Sequence, residues 1–226
     1  LTKPHLPEGS NALTQEMKTI YIILLTAMAA SCSTPAFRKG WTHGTAPPRF
    51  LARFETSKGD FEVTVEREWS PGAADRFHQL LKHHAFDHSF FYRIVPDFVA
   101  QFGDIDSTRT LKWDQFKVSD EPVIKGNIKG RLSFARSGKD SRSTQLFINL
   151  KDNSRLDTIF YNETKGFPAF GEVTKGMAVV EALYGGYGNS TMTKIDSIGT
   201  DRRKILTLFP RLDSIRKAYI LSRNGM

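Results

Sequence analysis

Few side chains in this 226-residue chain are candidates for chemistry, and four of its six histidines gather in one stretch. His78, His83, His84 and His88 crowd around one predicted helix end. His84 and His88 are four residues apart, a spacing that could hold a metal. No cysteine or paired carboxylate completes such a site, so we expect neither metal nor cofactor. Arg93, Gln101 and Gln145 are single polar residues in apolar stretches that also hold Phe98, Val99, Phe147 and, further on, Leu156. Taken alone, these four would be core, Arg93 a strand residue facing water, and both glutamines solvated. The lone cysteine, Cys32, excludes an internal disulfide and any Cys-rich metal site.

Cys32 stands at an informative place. Met17-Lys18 is followed by a dozen mostly apolar residues, 19–30, and then by Ser31-Cys32. A basic start, a short apolar run and small residues before a cleavage point read as an export signal. The run is too short for a membrane span, which needs about 20 residues. Ala29-Ala30-Ser31-Cys32 resembles a bacterial lipobox, which implies acylation of Cys32 and a membrane anchor. The expected divisions are 1–31 as an over-extended start plus signal (true start Met17), and 32–49 as a lipidated tether. The folded domain follows at 50–200, and a basic helical tail at 201–226. The expected location is the bacterial cell envelope on the periplasmic side, with Ser33 pointing to the outer membrane.

The net charge of +8 is concentrated, not spread. Residues 200–226 carry seven Lys or Arg against two Asp, or +5. A nucleic-acid surface would be built into the domain and interleaved with aromatic platforms. We therefore expect no nucleic-acid partner. Ile205–Leu221 reads as an amphipathic helix or a contact with anionic lipid.

The elements that must position these residues read as short strands. Phe50–Thr56 and Phe61–Arg67 alternate with period two around a Ser57–Asp60 turn. Ser70 as N-cap and Pro71 open a helix with apolar residues at Ala73, Phe77, Leu80 and Leu81. Further strands are expected at Phe90–Val95, Asp97–Phe102, Gly130–Ala135, Thr144–Asn149 and Ala169–Val173, and a second helix at Gly176–Leu183. Many strands and two helices give an all-β dominated class, with a closed antiparallel barrel favoured over a βαβ sheet.

Three blocks then carry a resemblance. Phe91–Asp104 (FYRIVPDFVAQFGD) resembles the cyclophilin signature, with Arg93 five residues before Phe98 and eight before Gln101. Leu132–Gly138 with Ser143–Asn149 resembles the second cyclophilin block. Leu156-Asp157 and Phe167–Val173 resemble the third. The blocks fall in order across residues 50–200, in the style of exported bacterial cyclophilins.

The resemblance implies a peptidyl-prolyl cis/trans isomerase on an eight-stranded closed barrel capped by two helices. It acts on proline-containing polypeptides as a monomer. It implies Arg93, Gln101 and Phe98 as catalytic residues. Val99, Gln145, Phe147, Leu156, Phe167 and the backbone of Ala135, Arg136 and Ser137 are implied as the substrate contacts. Rotation about an amide costs ~18–20 kcal/mol. A twisted amide gains a lone pair on the proline nitrogen, and a permanently charged donor such as Arg93 favours that form over both planar ones.

Three positions depart from the family. Arg155 stands where the best-known members carry Trp, which implies weak cyclosporin sensitivity. Phe167 stands where those members carry His. Phe102 replaces a Gly and could change the local turn. A non-catalytic module that binds proline segments or envelope proteins is the alternative reading of the same fold.

Overall fold

The computed structural model describes residues 37–103, 107–194 and 201–221. Met17, Cys32 and the signal lie outside them. Two antiparallel strands, β1 (Arg49–Thr56) and β2 (Gly59–Glu66), open the sheet. Their alternation puts Phe50, Ala52, Phe54, Phe61, Val63 and Val65 on the buried face. Helix α1 (Pro71–Lys82) lies over that face and inserts Phe77 against the rings of Phe50, Phe54, Phe86 and Phe170.

The start of α1 corrects one detail. Ser70 does not cap the helix with its own side chain. The Glu121 carboxylate, from a distant loop, accepts from Gly72 N–H at 2.8 Å and from the Ser70 hydroxyl. It thus meets helix donors that have no partner within the helix. Buried Arg142 donates from Nη2 to Oε2, the oxygen that also meets Ser70, at 2.9 Å.

The remaining elements are β3 (Arg93–Val95), β4 (Val99–Phe102), α2 (Ser107–Asp114), β5 (Arg131–Phe134), β6 (Leu146–Asn149) and α3 (Arg155–Thr158). They continue with the small hairpin β7 (Phe160–Tyr161) and β8 (Thr164–Lys165), β9 (Ala169–Lys175), α4 (Met177–Glu181), α5 (Arg202–Leu208) and β10 (Ile215–Ile220). The large sheet has eight strands in the order β10-β1-β2-β9-β5-β6-β4-β3, and every pair is antiparallel.

This sheet is open, which corrects the expected closed barrel. No ladder joins β3 to β10. Among the described residues, the two edges approach through an isolated bridge between Phe90 and Ser214, flanked by Phe91 N–H to Asp213 C=O and Ile215 N–H to Ser89 C=O, each 2.9 Å. β3 is only three residues long and gives way to a turn at Pro96, so it offers too little edge to zip.

Both ends of the domain also differ from expectation. Phe37 and Trp41, placed in a tether by the sequence reading, pack on fully buried Trp113, with Phe37 5.2 Å away edge-on. Ala46 is buried as well. At the other end, among the described residues of the expected helical tail, Arg202–Leu208 is helix but Ile215–Ile220 is an edge strand of the sheet on β1. No described helix is long and apolar enough to cross a membrane.

Candidate active site

Strand register brings the site residues together. Arg93 on β3 lies opposite Gln101 on β4, Gln101 lies opposite Phe147 on β6, and Phe147 lies opposite Ser133 on β5. Residues directly opposite in antiparallel ladders share a face. Arg93, Gln101 and Phe147 therefore form one row across three neighbouring strands.

Beside this row is an apolar cluster separate from the main core. Its buried members are Val99, Phe147 and Leu156, with Phe98, Ala135, Ile159 and Phe167 packed against it. The Phe167 ring stands edge-on to Phe147 at 5.9 Å. The buried Arg136 guanidinium lies 4.1 Å over Phe167, and its Nη groups donate to the carbonyls of Gly166 and Thr164. Phe167, where a histidine would add polarity, thus extends an apolar wall.

The Arg93 guanidinium is held from two sides. Nη1 donates to Gln101 Oε1 at 3.0 Å, and Nε donates to Asn189 Oδ1 at 2.7 Å. Burial pulls its pKa down from the ordinary arginine value, partly offset by Tyr92. An arginine starts high enough to remain charged at neutral pH. The Phe98 ring lies 5.7 Å from the Arg93 guanidinium and 4.9 Å from that of exposed Arg155. Arg155 thus sits on the aromatic rim of the apolar cluster.

Gln145 accepts a hydrogen bond at Oε1 from the Tyr92 hydroxyl at 3.1 Å, which fixes its amide orientation. The expected peptide-binding edge is partly engaged within the chain. Ala135 N–H donates to Gln145 C=O, and Ser137 N–H donates to Ser141 Oγ at 3.0 Å. The Ser137 carbonyl accepts from Asn162, at the tip of the β7–β8 hairpin. Ser137 is thus tied into a local turn by both its N–H and its carbonyl.

Several residues that shape this site gave no sequence signal. Asn153 Nδ2 donates to Phe98 C=O at 2.8 Å and to Asn149 Oδ1 at 2.9 Å. Asn149 in turn donates to Asn127 Oδ1, and Asn127 donates to Phe167 C=O at 2.7 Å and to Asp157. This buried amide chain fixes the backbone on two sides of the apolar cluster. Each asparagine alone looks like a turn residue. Asn189, far along the chain from Arg93, was equally silent.

Phe102 needs no unusual turn. It is fully buried, with Phe54, Phe86 and Phe91 at 5.4–5.6 Å. Gly103 beside it carries the strain: its φ is +96°, and a Cβ there would lie 2.1 Å from Thr144 C=O. The histidines are dispersed in role. His83 stacks on Trp41 at 4.0 Å, His84 sits 3.2 Å from Asp87, and His78 meets the Phe50 ring. Among the described residues no group of three His, Cys, Asp or Glu could hold a metal ion.

Comparison with known proteins converges on one family. Residues 51–200 match the model of the cyclophilin type peptidyl-prolyl cis-trans isomerases. The peptidyl-prolyl cis-trans isomerase A of Dickeya dadantii is 30% identical over 169 residues, covering 74% of this chain and 84% of its own. An isomerase of Acinetobacter baylyi is 29% identical over 135 residues, 59% of this chain and 71% of its own. An isomerase-like protein of Aspergillus fumigatus is also 29% identical, over 68% of this chain and 93% of its own, so relatives are not confined to bacteria. A crystal structure of a Cryptosporidium parvum cyclophilin type isomerase shares the fold, with a TM-score of 0.51 at 19% identity, over 77% of this chain and 99% of that one. With the family match spanning most of the domain, the chain belongs to the cyclophilin type peptidyl-prolyl cis-trans isomerases.

Proposed function

We propose that this isomerase accelerates X-Pro rotation in exported polypeptides, with Arg93 stabilising the twisted amide. The observation that carries the reading is the row Arg93, Gln101, Phe147 beside the Val99–Phe147–Leu156 cluster. The cluster offers an apolar seat for a proline ring. A charged donor at its border favours a proline nitrogen that has left amide planarity, because only the twisted form carries an available lone pair. Gln101 restricts the guanidinium, so less reorientation is needed when the amide turns. The chemistry uses no nucleophile and no proton transfer.

Export rests on the sequence alone. The Met17–Ser31 signal followed by Cys32 supports an acylated, envelope-anchored protein facing the periplasm, working as a monomer on flexible proline-containing chains. Intact-mass measurement of the protein recovered from a bacterial envelope tests this; an unmodified Cys32 would remove the anchor.

The catalytic reading is tested by NMR exchange on an Ala-Pro peptide. Arg93→Ala is expected to lose most turnover while keeping its circular dichroism and melting temperature. Wild type no faster than Arg93→Ala would leave a non-catalytic binding module as the reading, which Arg155 on the Phe98 ring would then favour.

A further inference from the structure

We propose that Asn189 is a positioning residue for the isomerase reaction, acting through Arg93. The inference rests on the catalytic reading of Arg93 and adds a second anchor from a different part of the chain. A guanidinium has five N–H donors and no acceptor. Arg93 Nε–H at 2.7 Å can therefore be met only by the amide oxygen of Asn189. With Gln101 on Nη1 at 3.0 Å, the planar group is fixed by two bonds on two different atoms. One bond leaves a rotation about its own axis; two define the plane.

The acceptor is neutral, and that choice has a chemical consequence. A carboxylate at this position would pair with the guanidinium and cancel part of the charge that the proline nitrogen needs. An amide oxygen orients the group and leaves its charge uncompensated.

The segment carrying Asn189 is itself built to approach β3. Gly185 passes so close to the strand end that a Cβ there would lie 2.8 Å from Pro96. Tyr187 stands edge-on to Tyr184 at 4.9 Å and to Phe209 at 5.1 Å, and its hydroxyl accepts from Arg211 N–H at 3.1 Å. The Arg211 guanidinium lies 3.7 Å over the Tyr184 ring. Asp213 accepts from Tyr184 N–H at 2.7 Å. Residues 209–213 thus brace the turn that delivers Asn189, which links the C-terminal part of the domain to the reacting group.

The test compares wild type, Asn189→Leu, Asn189→Asp and Arg93→Ala in the full chain. The readouts are kcat and KM on an Ala-Pro peptide and the hydrogen-exchange rate of the Arg93 Nε–H signal by NMR. Asn189→Leu is expected to lower kcat about five- to tenfold with KM within about twofold, and to speed Nε–H exchange. Asn189→Asp keeps the acceptor, so the Nε–H stays protected while kcat remains below wild type. Unchanged kcat in Asn189→Leu, alongside a large loss in Arg93→Ala, overturns the role of Asn189 and leaves Arg93 in place. Unchanged turnover in Arg93→Ala instead overturns the reading on which both rest. A melting temperature that falls in Asn189→Leu with no change in Nε–H exchange assigns Asn189 to the fold and also overturns the proposal.

Discussion

Gln101 stands directly across the β3–β4 ladder from Arg93, and its side-chain oxygen accepts a hydrogen bond from Nη1 at 3.0 Å. Gln101 is almost wholly buried, so this bond is shielded from competing water. Replacing it with an isosteric apolar residue should spare the fold and loosen the guanidinium. Gln101→Leu is expected to lower kcat/KM on an Ala-Pro peptide about tenfold, as expected for one lost positioning contact. A protease-coupled assay with a thermal melt on the same sample checks both halves.

Arg155 occupies the rim above the Phe98 ring. A charged, exposed side chain covers an apolar drug face poorly, whereas an indole there would add a flat apolar surface. Wild type should resist cyclosporin, and Arg155→Trp should lower the inhibitory concentration at least about tenfold. A titration of drug against isomerase activity measures both; tight inhibition of the wild type would contradict the expectation.

Phe102 fills the centre of an aromatic cluster with Phe54, Phe86 and Phe91. Restoring the small residue found elsewhere in the family would empty that volume. Phe102→Ala should lose about 3–5 kcal/mol of stability in urea denaturation, the usual range for a buried Phe to Ala change. The Gly variant should lose slightly more, because it also frees the unfolded backbone.

Glu121 predicts an acid limit. Burial alone would raise its pKa, but hydrogen bonds from Ser70, Gly72 and Arg142, with the Arg142 charge, carry it below the ordinary value of 4.5. A carboxylate with a depressed folded pKa contributes stability above 4.5 and loses it as pH falls through the folded value. Chemical denaturation at stepped pH should show stability falling below about 4.5, and Glu121→Gln should flatten that fall while lowering stability at pH 7.

The expectations drawn from sequence held where one face of an element is buried without interruption. β1, β2 and α1 repeat cleanly, and their observed bounds differ by only a residue or two. β10 was misread for a specific reason. Its buried residues are Ile215 and Ala218, three apart, which imitates a helix. A register shift at Glu55–Thr56 sets both Arg216 and Lys217 between the inward positions and breaks the period of two. The residues before β1 were misread because glycines and prolines masked two anchoring aromatics, Phe37 and Trp41.

The site shows a similar division. Motif spacing brought out Arg93, Gln101 and Phe147, which the ladders set side by side, and Phe98, which packs against the neighbouring apolar cluster. Spacing could not bring out Asn189 or the Asn127–Asn149–Asn153 chain. Their partners lie in segments remote in sequence, and the link exists only once the strands are paired.

The pairing of β1 with β10 also sets a schedule for making this protein. The first strand of the sheet takes its outer partner from the last, with Ala52 opposite Ile220. During synthesis β1 emerges early and must wait for almost the whole domain before that edge is covered. Until then it presents open backbone donors and acceptors to any neighbouring chain. Closing so long a loop slows folding. Truncation before Ile215 would therefore bare the outer edge of β1, which in the finished molecule is covered by β10.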